Sequence, residues 1–131
     1  MTALQWLAAT ALMTALFWVP YVLERMVALG VLGAMRPVDP EDEAKQSLWA
    51  RRAKRAHYNG VENLAVFATL VLVAFAMGKG DEHGILVASQ LYFWARLVHF
   101  PAGAFGLTGI RTFAFLAGFG AQIAVALSIF S

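Results

Sequence analysis

The chain has 131 residues, of which 60% are hydrophobic and 14% charged, and it contains no cysteine. A soluble chain of this length cannot hide that much apolar surface in its own core, and the lack of cysteine excludes a disulfide framework, a thiol nucleophile and a cysteine–metal site. The net charge of +2 is small, but six of the ten Lys and Arg residues fall between Arg36 and Arg55, and a basic cluster with apolar flanks marks a membrane-surface loop ahead of a nucleic-acid site.

The opening "MTALQW" lacks the basic start of a signal peptide, and the apolar run behind it is too long for one, so a retained membrane helix is expected. This first block runs from about Trp6 to Leu23, with Pro20 inside it. It resumes after Glu24 and Arg25, expected here as a self-compensating pair, in "MVALGVLGAM". The connection "RPVDPEDEAKQSLWARRAKR" starts as a loop at Pro37 and Pro40, and Asp39 or Ser47 is placed to cap the helix that follows. The second apolar block, Asn63 to Gly78, is too short to cross a bilayer, which takes ~20 residues. Its helix therefore has to begin inside Arg51 to Glu62. "KGDEH" makes a short turn, and the third block spans Gly84 to Gly106 with Pro101 near its end. "PAGAFGLTGIR" is a glycine-rich turn into the fourth block, Phe113 to Phe130.

No block alternates apolar and polar residues as a barrel strand does. The expected fold is all-α: one domain over residues 1–131, forming an integral membrane four-helix bundle subunit. The first loop holds six Lys and Arg residues and the second only Lys79. This bias places the long first loop in the cytoplasm, Arg111 on the same side, and both termini opposite. The two halves do not resemble each other, which disfavours a transporter built on inverted repeats.

Ionisable groups at membrane depth are costly and mark a site by default. At 100° per residue, Arg55, Asn59 and Glu62 lie within ~60° of one another, in a stripe that Arg52 extends. On the third block Tyr92, Arg96 and His99 form a second column, and Glu62 and Arg96 are natural partners between the two. His99 reads as a hydrogen-bonded interior histidine. Arg51, Arg52 and Lys54 read as lipid-headgroup anchors. No His, Asp or Glu group has metal spacing, so no metal site is expected. Two readings of the columns stand at this point: a buried polar lock that fixes helix register, or a ligand site.

The segment "RAHYNGVEN" resembles the second-helix signature of the MAPEG family, membrane-associated proteins in eicosanoid and glutathione metabolism. Arg55, Ala56, Asn59 and Glu62 stand in the positions of its pattern R-A-x-x-N-x-x-E. "YFWARLVHF" is similar to the family's third-helix segment, and Arg111 in "GIRTF" to the arginine that opens its fourth helix. The resemblance implies a homotrimer with glutathione held between subunits near the cytoplasmic side. It implies Arg55 on a glutathione carboxylate, Glu62 on the ammonium, and Asn59 or Asn63 on polar groups. Arg96 holds Glu62 or meets the second carboxylate, Arg36 closes the mouth, and Arg111, from a neighbouring subunit, stabilises the thiolate. The implied reaction is glutathione transfer to, or peroxidase action on, a lipophilic electrophile entering from the bilayer. Relatives often carry a tyrosine where this chain has Asn63 or Gly103, so the binding column matches better than the catalytic end. The alternative is a non-enzymatic membrane scaffold or partner-binding protein on the same fold.

Overall fold

The computed structural model describes residues 1–131 and is helical throughout, without a strand. In chain order the helices are α1 (Ala3–Leu16), α2 (Trp18–Ala34), α3 (Pro40–Ala44), α4 (Leu48–Ala76), α5 (His83–Ala104) and α6 (Thr108–Phe130). Three segments are long and apolar enough to cross a membrane: Ala3–Ala34, Leu48–Ala76 and Thr108–Phe130. The third apolar block, α5, is 22 residues long. Its Gln90, Arg96 and His99 lower its hydropathy, so it is not among these three. Only 22–33% of each apolar span is buried within the chain. The rest presents residues such as Val27, Leu32, Phe113 and Leu127 outward, a surface that lipid or another subunit has to cover.

Thr2 and Gln5 start α1 with a reciprocal capping box, the Gln5 N–H donating to Thr2 Oγ1 and the Thr2 N–H to Gln5 Oε1. The first apolar block is interrupted at Phe17. The cause is Pro20, which has no N–H to offer the Leu16 carbonyl four residues back. A second break was hidden in the sequence. Gly30 takes φ 76° and ψ 165°, a left-handed φ that only glycine adopts cheaply. The carbonyls left open where α2 ends are collected by Arg25, whose guanidinium donates to Ala34 O at 3.1 Å and Arg36 O at 3.3 Å. Arg25 thus binds backbone and not Glu24.

Glu24 reaches across to the start of α4. It accepts from the Ser47 N–H and Oγ, each at 2.9 Å, and from Gln46 Nε2 at 3.1 Å. Ser47 holds the N-cap position of α4 without capping it by its own side chain; the distant carboxylate supplies the acceptor and favours the positive helix end. Asp39 caps the short α3, accepting from the Asp42 N–H.

At 29 residues α4 is about 44 Å long, against a hydrocarbon core of about 30 Å. Its surplus turns fall at the charged N-terminal end, which fixes the position of Arg51, Arg52 and Arg55 at the rim of the bundle. Towards the far end, α4, α5, α6 and α1 enclose the main core. Phe67 stacks on Tyr92 with centroids 4.0 Å apart, flanked by the fully buried Val71, Ile85 and Val125. Towards the rim the helices approach more closely through small residues, Ala50, Ala53, Ala56 and Gly60 of α4 all being buried. A Cβ at Gly103 would lie 2.9 Å from Ala56 Cβ, so α4 and α5 all but touch there.

Candidate functional site

The close approach of Ala56 and Gly103 forms the floor of a cavity of about 550 Å³ at the rim, within the about 300–1,000 Å³ range of small-molecule sites. One wall is α4, contributing Arg52, Arg55 and Asn59. The opposite wall is the first two turns of α6, contributing Thr108, Arg111, Thr112 and Phe115, and His99 of α5 closes the inner end. Helix α6 can begin there because α5 stops sharply: Gly106, at φ 71°, lets the Leu107 N–H return to Ala102 O at 2.8 Å. The Arg52 guanidinium lies over that turn, 2.6 Å from where a Gly106 Cβ would stand.

The charge of this cavity is one-sided. Three guanidinium groups line it and no carboxylate does. The ion pairs of the chain are Arg36 with Asp42 at 3.4 Å and Lys45 with Asp42 at 3.6 Å, so Arg52, Arg55 and Arg111 have no acidic partner within the subunit. Such a cavity suits an anion, and arginine is the side chain that grips carboxylate or phosphate with two parallel hydrogen bonds.

Behind the wall Arg96 is buried, and it donates to Asn59 Oδ1 at 2.8 Å. Its expected partner Glu62 is exposed instead, turned outward one turn further along α4. The reason is geometric. Asn59 and the buried Gly60 are on the flank of α4 that faces α5, and the Arg96 guanidinium packs against Gly60, 3.4 Å from where a Cβ would stand. Glu62 sits ~60° round the helix from Asn59. With its oxygen accepting from Arg96, the Asn59 side chain keeps its two N–H donors for a ligand.

Of the residues singled out in the sequence, Arg55, Asn59 and Arg111 meet on this cavity, and Arg96 orients Asn59 from behind. Asn63 lies deeper, donating to Asn59 O at 2.9 Å while its own carbonyl accepts from Gln122. Glu62 points away from the subunit, and Arg36 is tied to Asp42 on the other side of α4. His99 is buried, but its Nδ1 has no hydrogen-bond partner, unlike the satisfied histidine expected. The lining residues not singled out are Thr108, Thr112 and Phe115, whose i, i+4, i+7 spacing brackets Arg111 on one face of α6. Lys54 sits over the Tyr58 ring, 5.7 Å from its centroid, and does not join the arginines. No group of three or more His, Asp or Glu side chains is arranged to hold a metal ion.

The all-helical fold and its apolar spans define an integral membrane protein, whose rim cavity is lined by three guanidinium groups and no carboxylate. The model of the MAPEG family matches residues 3–131, essentially the whole chain, and the protein belongs to that family of membrane proteins in glutathione and eicosanoid metabolism. Neither a curated protein nor a solved structure matches it.

Proposed function

We propose that this protein binds glutathione in the rim cavity and uses its thiolate as a transferase or peroxidase on a lipophilic electrophile. The observation that carries the reading is the meeting of Arg55, Asn59 and Arg111 on one cavity whose three guanidinium groups have no acidic partner. Glutathione brings two carboxylates for such groups. Arg55 takes one of them in a bidentate grip, and the free Asn59 N–H donors meet a carbonyl of the peptide. Arg96 acts through Asn59 as a positioning residue.

Arg111 is assigned to the sulfur. A guanidinium beside a thiol favours the thiolate, which is the nucleophile. The thiol proton leaves to solvent, and the thiolate forms a carbon–sulfur bond as the electrophile's leaving group departs with its electron pair. With a lipid hydroperoxide the thiolate takes the terminal oxygen as the O–O bond breaks; the alkoxide picks up a proton from solvent and leaves as the alcohol, and the sulfenic acid condenses with a second glutathione thiol to give the disulfide and water.

The exposed Glu62 and the uncovered apolar faces support assembly as a homotrimer, in which Glu62 and Arg36 reach a ligand held between subunits. In this reading α5 crosses the bilayer as the fourth helix of a one-domain subunit, with the long basic connection cytoplasmic and both termini opposite. Calorimetric titration of the detergent-solubilised protein with glutathione tests the proposal. Saturable binding is expected, weakened about tenfold or more by Arg55→Ala, since a hydrogen-bonded charge contributes about 1.5–3 kcal/mol. Arg111→Ala is expected to lower kcat more than affinity. No heat of binding at millimolar glutathione would remove the proposal. The rival reading, a scaffold without catalysis, draws on Gly103 and Asn63 standing where relatives often carry tyrosine. It predicts glutathione binding without turnover, or neither.

A further inference from the structure

A second cavity, of about 410 Å³, opens on the other flank of α4, between it and α3. Its basic wall is Arg51, Arg52 and Arg55, on the surplus turns of α4 at the bundle rim. Its apolar wall is Pro40, Ala44 and Leu48, and Glu43 supplies the one carboxylate. None of the three arginines has an acidic group within 4.0 Å, and none of their side chains makes a hydrogen bond in the subunit. Arg51 goes further: its Nε is enclosed and has no acceptor. That donor is shut away from water at a cost of about 1–3 kcal/mol, and the cleft beside it keeps positive charge that its single carboxylate does not balance.

The ligand it calls for can be read from its walls. Three guanidinium groups against one carboxylate call for an anion with several oxygens at tetrahedral spacing, hence a phosphate group. The apolar wall calls for something attached to that phosphate that prefers not to face water. The exposed Leu48, Trp49 and Val38 extend the apolar surface beside the cleft, at the interfacial end of α4 and outside its apolar run. A free phosphate ion has no use for that surface, whereas the glycerol and ester groups of a phospholipid pack against it.

We propose that the α3–α4 cleft is a binding site for the phosphate of an anionic phospholipid headgroup, gripped by Arg51 and Arg52 and selected against zwitterionic lipid by the uncompensated positive charge. This site adjoins the glutathione cavity, with Arg52 and Arg55 bordering both, and lipid binding here does not require glutathione to bind there. Glu43 is the negative element of the cleft and moderates its affinity. It is a better-defined arrangement than general headgroup anchoring, because it includes Arg51 and Arg52 but not Lys54, which is occupied by Tyr58.

The test is calorimetric titration of the detergent-solubilised protein with three probes: short-chain phosphatidylglycerol, short-chain phosphatidylcholine and inorganic phosphate. Phosphatidylglycerol is expected to bind saturably, one per subunit and at least about tenfold tighter than either other probe, the weight of one charge-assisted contact. Arg51→Gln is expected to weaken it about tenfold, and Glu43→Gln to strengthen it severalfold, with melting temperatures confirming that both variants fold. These opposite signs separate a lost contact from a damaged protein. Equal binding of both lipids, tight binding of inorganic phosphate alone, or insensitivity to both substitutions overturns the proposal.

Discussion

The two ends of the bundle treat charge in opposite ways. At the far end the one lysine, Lys79, is spent on structure: its Nζ donates to Ser128 O at 2.8 Å and Ile129 O at 3.4 Å, closing the C-terminus of α6. Beside it the core is filled by the stacked Phe67 and Tyr92 with Val71 and Val125. At the rim, four arginines, Arg51, Arg52, Arg55 and Arg111, have no carboxylate partner, and the helices meet there through alanine and glycine. The lesson is a division of labour. The far half packs the main apolar core, and the rim gathers positive charge that the subunit's own carboxylates do not balance.

That contrast can be broken or sharpened by substitution, with unfolding in mixed micelles as the readout of stability. The largest effect is expected from Phe67→Ala, which empties a fully buried position and costs about 3–5 kcal/mol. A loss below 1 kcal/mol would contradict the idea that stability resides in the far half. Next comes Asn59→Ala, which strips the buried Arg96 of its acceptor and costs about 1.5–3 kcal/mol. It also lowers glutathione affinity, because it acts on the lock and the cavity together. Lys79→Met removes the two α6 carbonyl contacts and is expected to cost about 0.3–1 kcal/mol, without change in any ligand affinity. The smallest effect on stability belongs to Arg52→Gln, within about 0.5 kcal/mol of zero, while its ligand binding drops. If Arg52→Gln destabilised the protein as much as Phe67→Ala, the rim would be structural and the comparison would fail.

Much of the helical framework was legible because a lipid-embedded helix announces itself by unbroken apolar sequence. The length a bilayer demands anticipated a start of α4 ahead of its apolar run, inside Arg51 to Glu62, and the helix begins earlier still, at Leu48. Helical spacing put Arg55 and Asn59 on one face of α4, whereas Arg111, expected from a neighbouring subunit, reaches the same cavity within one subunit. What stayed hidden depends on partners that a sequence does not display. Arg25 binds the main-chain carbonyls of Ala34 and Arg36, and no residue pattern advertises which side chain will fold back on the open carbonyls of a helix end. Glu24 serves a helix start 23 residues away. Arg96 chose Asn59 over Glu62 because α4 and α5 meet along Ala56, Gly60 and Gly103, and that contact line turns Asn59 inward and Glu62 outward. Opposite charge suggested the wrong pair; the rotation of one helix against the other decided it.

Arg52 and Arg55 border both cavities, and a shared wall forbids independence. Whatever occupies one side alters the field and the side-chain positions felt on the other, and the coupling factor is the same in both directions. Under the two proposals above, the composition of the surrounding leaflet tunes how tightly the protein holds its water-soluble ligand, and affinities measured in different lipids are expected to differ.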